Sequence, residues 1–222
     1  PAVRSRRERV LEWGVWIRFR SLPQPASIRR PICSPKTGNS PGTWTGSRRR
    51  TIFSGVVLVA KDGETLFAQA YGLADRDKGI PNRLDTKFNL GSVGKTFTGV
   101  AIAQLAHEEK ISFGDPVGKY VSGLPTDIAD KVTIEQLLTH TSGLGDFMTR
   151  EYHANKDNVR TIPEFMRYVV NQPLRFEPGK AHQYSNAGYV LLGAVIEAVT
   201  GMSYYDYIRE HVLEPAGMKD TA

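Results

Sequence analysis

Ser92 and Lys95 stand three residues apart in the stretch Asn89-Leu-Gly-Ser-Val-Gly-Lys-Thr-Phe-Thr98. A hydroxyl within reach of an amine is the minimum needed for an activated nucleophile. For both side chains to share a side at that spacing, the backbone must be helical. Apolar residues at Val93, Phe97, Val100, Ala101 and Leu105 predict an amphipathic nucleophile helix over residues 92–110, one face buried. Gly91 permits a sharp entry, so Ser92 falls at or beside the first helical position. There the positive end of the helix favours a developing alkoxide. Serine-x-x-lysine alone has little specificity, since chance produces it often.

The elements that must position this pair begin near Thr51. Residues 54–60 read as a buried-type strand and 64–71 as a second, joined by Lys61-Asp62-Gly63, whose Asp-Gly favours a hairpin turn. Residues 72–84 read as loop. A helical region is expected over 116–222. Thr133-x-x-Gln136 and Thr161-x-x-Glu164 are capping-box patterns that open helices. Residues 189–200 are apolar on nearly all sides, a buried helix stopped by Gly201. Ser203-x-x-Asp206 starts the last helix. Two strands followed only by helices is an unusual inventory, because a lone hairpin is marginal.

The first fifty residues differ in kind. They carry 12 of the 29 Lys and Arg and 2 of the 23 Asp and Glu, a charge of +10 that leaves −4 for residues 51–222. They also hold all three Trp (Trp13, Trp16, Trp44), the lone Cys33 and six Pro. Clustered Arg with aromatics suits an acidic surface or nucleic acid, and an Arg-rich, acid-poor segment also suits a targeting sequence. The expectation is a basic, Pro/Arg-rich, disordered arm over 1–50. One Cys forms no internal disulfide, and no Cys/His spacing suggests zinc. No apolar run approaches a membrane span. The compartment is not encoded in any of these features.

Three other patterns lack their context. Residues 38–42 fit G-x-S-x-G, but no strand precedes them. Residues 91–96 resemble a phosphate loop, yet that motif needs Gly where Asn89 stands. Lys36-Thr37-Gly38 lies among prolines.

Phe88-Asn-Leu-Gly-Ser92-Val-Gly-Lys95 resembles the first motif of the serine β-lactamase and penicillin-binding-protein superfamily, and Tyr184-Ser185-Asn186 its Tyr-x-Asn second motif. Leu137-Leu-Thr-His-Thr-Ser-Gly-Leu144, Phe176-Glu-Pro-Gly179, Gly188-Tyr-Val-Leu-Leu-Gly193 and Glu214-Pro-Ala-Gly-Met218 are similar to the branch holding class C β-lactamases, DD-peptidases and family VIII esterases. Each piece is weak; together and in order, over about residues 52–222, they are specific.

The resemblance implies an α/β (α+β) fold of the β-lactamase/transpeptidase type, an antiparallel sheet flanked by helices plus a helical domain. It implies a serine hydrolase that cleaves a small-molecule ester, amide or β-lactam through an acyl-enzyme on Ser92. Lys95 and Tyr184 would share the general-base role and Asn186 would orient Lys95 or bind substrate. A phenol near pKa 10 is a poor base at neutral pH unless a cation such as Lys95 favours its phenolate. The backbone N–H of Ser92 would be one oxyanion donor. No cofactor, metal or specific nucleic acid is implied. His140 reads as a structural cap residue, not a triad base. The family's third motif and C-terminal strands are expected beyond Ala222, which makes a fragment of weak or no turnover an expectation too. The other reading is an inactive or non-catalytic protein whose basic arm binds nucleic acid or an acidic surface.

Overall fold

The computed structural model describes residues 53–170 and 172–221. The expectations placed on residues 1–50, including the arm and two of the three stray patterns, lie outside the described residues.

Asp62 and Gly63 both take positive φ, 51° and 82°, the geometry that lets two strands fold back with matched twist. Strands β1 (Gly55–Lys61) and β2 (Glu64–Tyr71) therefore pair antiparallel from Gly55 opposite Tyr71 to Lys61 opposite Glu64, with a bulge at Val59/Ala60. The hairpin matches the sequence, but its burial does not. Leu58 is 62% exposed and Leu66 63% exposed. Among the described residues these side chains are largely uncovered. The stretch 72–84 is not simply loop. It holds two short strands, β3 (Leu73–Asp75) and β4 (Ile80–Pro81), too brief for a periodic signal. Asn82 ties them to the hairpin by donating to Ser54 Oγ (2.9 Å) and the Tyr71 carbonyl (2.8 Å).

The nucleophile helix is shorter than its periodicity suggests. Gly91–Gly94 form a 3₁₀ turn, and α1 runs only Lys95–His107. Glu109 ends it with φ 57°, the Lys110 N–H bonding back to the Leu105 carbonyl. This is a Schellman closure without glycine, and it is the reason apolar spacing overestimated the length. Short helices α2 (Thr126–Ala129) and α3 (Ile134–Leu138) follow, then α4 (Arg150–Asn155), which the sequence reading missed. Helix α5 is Ile162–Val169, α6 Asn186–Thr200 and α7 Tyr204–Ile208, the last continuing into a π turn over Arg209–Leu213. Both capping boxes form as read, at Thr133/Gln136 and Thr161/Glu164. Gly201 stops α6 at φ 70°.

The core lies between α1 and α6. Ala101, Ile102 and Leu105 pack with Leu191, Leu192, Val195 and Ile196, and Ile134, Leu137 and Tyr207 close the sides. Phe147, Val169 and Ala187 form a smaller cluster beside it. At α7 the Tyr204 hydroxyl meets Thr98 of α1 at 2.7 Å. No single helix among the described residues is long and apolar enough to cross a membrane.

A strap joins the loop at 140–146 to the segment at 174–185. The Arg175 N–H donates to the Gly143 carbonyl (2.7 Å), Gly179 to Thr141 (2.8 Å) and Gln183 to His140 (2.9 Å). Gly143 has φ 79°, and a Cβ there would lie 2.2 Å from the Phe176 carbonyl oxygen. Gly143→Ala is expected to cost on the order of 3 kcal/mol or more in a urea melt. Gly201→Ala meets open space at φ 70° and is expected to cost only about 1–2 kcal/mol. Equal midpoints for the two variants would contradict the strap's importance.

Candidate active site

The 3₁₀ turn at Gly91–Gly94 carries Ser92 just ahead of α1, and Lys95 opens that helix. Asn89 Oδ1 accepts the Gly91 N–H at 2.8 Å and fixes the entry. Lys95 Nζ lies 3.4 Å from Ser92 Oγ, so the pair is brought together as the spacing predicted.

The other two predicted residues come from the N-terminus of α6, more than ninety positions away. Ser185 caps that helix by accepting the Gly188 N–H (3.3 Å), and its hydroxyl donates to the Gly145 carbonyl (2.9 Å). It is buried, while its neighbours turn to the cleft. Tyr184 Oη is 2.7 Å from Ser92 Oγ. Asn186 Oδ1 accepts from Lys95 Nζ at 2.8 Å. All four candidates, Ser92, Lys95, Tyr184 and Asn186, therefore meet in one place. Helix α6 begins at Asn186, three residues before the apolar run that announced it, because Ser185 rather than apolar spacing sets its start.

Asp146 was not anticipated. Asn186 Nδ2 donates to Asp146 Oδ2 at 2.9 Å, which turns the amide so that its oxygen faces Lys95. Nothing local in the sequence marks this aspartate; only its position after the 140–145 loop does. His140 was anticipated as a cap residue, and it is one. Its ring nevertheless faces the cleft, 4.5 Å from the Tyr184 ring and 5.2 Å from Tyr189. Ser92, Lys95, Val100, His140, Tyr184 and Tyr189 are among the residues around an open cleft of about 530 Å³.

The electrostatics follow from these contacts. The hydrogen bond with Lys95 and then that with Ser92, aided by the Lys95 charge, hold the Tyr184 phenol below the usual tyrosine range; burial and, less, Asp146 oppose this. Lys95 Nζ also sits 5.0 Å from the Tyr184 ring centre and 5.4 Å from that of Tyr189, distances at which a ring face attracts a cation. Burial, then Lys95, then His182 push the His140 imidazole down. Among the described residues no cluster of His, Cys, Asp or Glu could hold a metal ion. The arrangement can deprotonate a serine hydroxyl beside a cation.

The family model described as Beta-lactamase matches residues 44–222. The chain belongs to this family. Its relatives include the Bacillus subtilis penicillin-binding protein 4*, 36% identical over 76% of this chain and 38% of that protein. Esterase EstB of Burkholderia gladioli is 36% identical over 78% of this chain and 47% of the esterase. Among solved structures, a penicillin-binding protein from Bacillus halodurans superposes with TM-score 0.66 and 34% identity, covering 75% of this chain and 53% of the other. The D-amino acid amidase of Ochrobactrum anthropi SV3 gives TM-score 0.65 and 30% identity over 74% and 45%. This β-lactamase-family chain thus spans about half or less of the length of the relatives it matches. Its helices and small antiparallel sheets are those of the β-lactamase/transpeptidase-like fold, within the serine β-lactamase and penicillin-binding-protein superfamily.

Ser185→Ala removes both the α6 cap and the partner of the buried Gly145 carbonyl. It is expected to lower stability by about 2 kcal/mol, read as a lower urea midpoint with an unchanged slope. A loss below a few tenths of a kcal/mol would mean that the cap does not hold this junction.

Proposed function

We propose that this chain carries the acylating half of a serine hydrolase that attacks the carbonyl of a small-molecule ester, amide or β-lactam. The observation that carries this is the triangle of Ser92 Oγ, Tyr184 Oη and Lys95 Nζ, with sides of 2.7 Å and 3.4 Å meeting at the serine. In the first step the Ser92 proton passes to Tyr184, whose phenolate is favoured by Lys95, as Oγ bonds to the carbonyl carbon. The resulting oxyanion is met by the Ser92 N–H in the 3₁₀ turn. The proton then moves to the leaving oxygen or nitrogen as the acyl bond breaks, leaving an ester on Ser92. Lys95 and Tyr184 act together as base and acid. Asn186 keeps the ammonium in place through its amide oxygen. Relatives named as an esterase and an amidase support the ester or amide class.

Formation of the bond to Ser92 is the step this reading assigns to these residues, so a covalent adduct is its direct readout.

Incubation with a fluorophosphonate, and separately with a penicillin, is expected to add one adduct by intact mass, mapped to Ser92 and absent from Ser92→Ala. Labelling that persists in Ser92→Ala would overturn the assignment of the nucleophile. Tyr184→Phe is expected to slow fluorophosphonate labelling about 10²-fold. Because Lys95 depresses the phenol's pKa, the wild-type labelling rate is expected to rise with pH and level off below about pH 10, the range of an ordinary tyrosine. A plateau at or above that range would remove Tyr184 from the base role.

A further inference from the structure

His140 is the C′ residue of α3 in a Schellman closure. Its N–H bonds the Leu137 carbonyl (3.4 Å), the Thr141 N–H bonds Gln136 (2.9 Å), and its φ is 59°. Glycine is the residue this position favours. A side chain held there against backbone preference is a reason to ask what the side chain does.

It grips the Tyr184 segment at two points. The His140 carbonyl accepts the Gln183 N–H at 2.9 Å, and its Nδ1 accepts the Ser185 N–H at 3.3 Å. These two donors flank Tyr184 on the approach to α6, so the clamp fixes the residue whose hydroxyl touches Ser92. An Nδ1 that accepts carries no proton; the ring is neutral with its proton on Nε2. The groups acting on the ring are Lys95 from α1, His182 and Tyr184 from the segment before α6, and Tyr189 from α6. The nearby carboxylate of Asp146 is engaged with Asn186. A second proton would thus add a cation beside Lys95 and set an N–H donor against the Ser185 N–H donor.

We propose that His140 is a proton-sensitive positioning residue: neutral, it clamps Ser185 and so holds Tyr184 and Asn186 on the Ser92–Lys95 pair, and protonated, it lets that segment go. The proposal rests on reading Ser92 as the reactive serine only for its effect on rate; the clamp itself is a property of the fold. Burial and Lys95 keep the imidazole neutral further into acid than an ordinary histidine. The sign is therefore a loss of placement as pH falls through the depressed His140 pKa.

Two variants separate this role from simple support of the fold. His140→Gly suits the left-handed backbone and keeps the helix end, but removes the acceptor. His140→Asn also tolerates that backbone, and its Oδ1 stands where Nδ1 stood without being able to take a proton. In amide NMR titrations of the full chain, the Ser185 resonance is expected to move with the midpoint of the His140 ring in wild type and to be flat in His140→Asn. Fluorophosphonate labelling of Ser92 is expected to fall at least tenfold in His140→Gly, with His140→Asn recovering most of the loss. The wild-type plot of log rate against pH should steepen below the His140 midpoint, and that extra steepness should vanish in His140→Asn. A Ser185 amide indifferent to His140 titration would overturn the clamp. So would His140→Gly labelling at the wild-type rate with the wild-type pH shape. If wild type takes no label at any pH, the assignment of Ser92 fails, and the Ser185 titration still decides the clamp.

Discussion

Between Tyr184 and Asn186 the chain enters α6 through Ser185, and three hydrogen bonds meet at that residue. Its N–H reaches His140, its hydroxyl donates to Gly145 and accepts from Gly188. The side chain is buried, so each of these groups would carry the full cost of desolvation if left unmet. The loop at 140–146 can supply two of the partners only because Gly143 lets it pass close to Phe176. The site depends on this junction. Tyr184 and Asn186 flank a residue that cannot move without orphaning buried polar atoms, and their side chains inherit its fixed position.

The same junction disposes of the charge on Lys95. Its ammonium has Asn186 Oδ1 at 2.8 Å, and the amide's other end is taken by Asp146. An amide between a cation and a carboxylate has one orientation that satisfies both, so Asn186 is held as well as holding. By contrast, the ion pairs elsewhere, such as Lys87 with Asp220 or Arg83 with Asp85, join well-exposed side chains. Such pairs contribute little to stability. The polar contacts that matter are those at the cleft.

Local rules were legible where the physics is local. Ser92 and Lys95 are three apart, and a helical turn brings them together without help. The capping boxes at Thr133 and Thr161 need only four residues each, and both form. Tyr184 and Asn186 entered the site only through resemblance, because no spacing rule joins them to a serine ninety-two positions earlier. Asp146 was invisible for a related reason: its role exists only after the strap has brought 140–146 against 174–186. The errors have a physical pattern too. A strand's apolar composition does not say what lies against it; among the described residues Leu58 and Leu66 are largely uncovered. The helix end at Glu109 escaped notice because the left-handed residue that stops it is not glycine.

The placement of the cleft relative to the core explains why helices, and not the hairpin, define it. Ser92 and Lys95 stand at the N-terminal end of α1, and Asn186 at that of α6, the two helices that bury Ile102, Leu105, Leu192 and Ile196 between them. Two N-termini aimed at one cleft add positive potential where a phenolate and then an oxyanion would form. Their relative position is set by fully buried side chains, and α7 adds the Thr98–Tyr204 bond. The hairpin shares none of this packing. Among the described residues the geometry of Ser92, Lys95, Tyr184 and Asn186 is therefore set by the helical core, where side chains interlock.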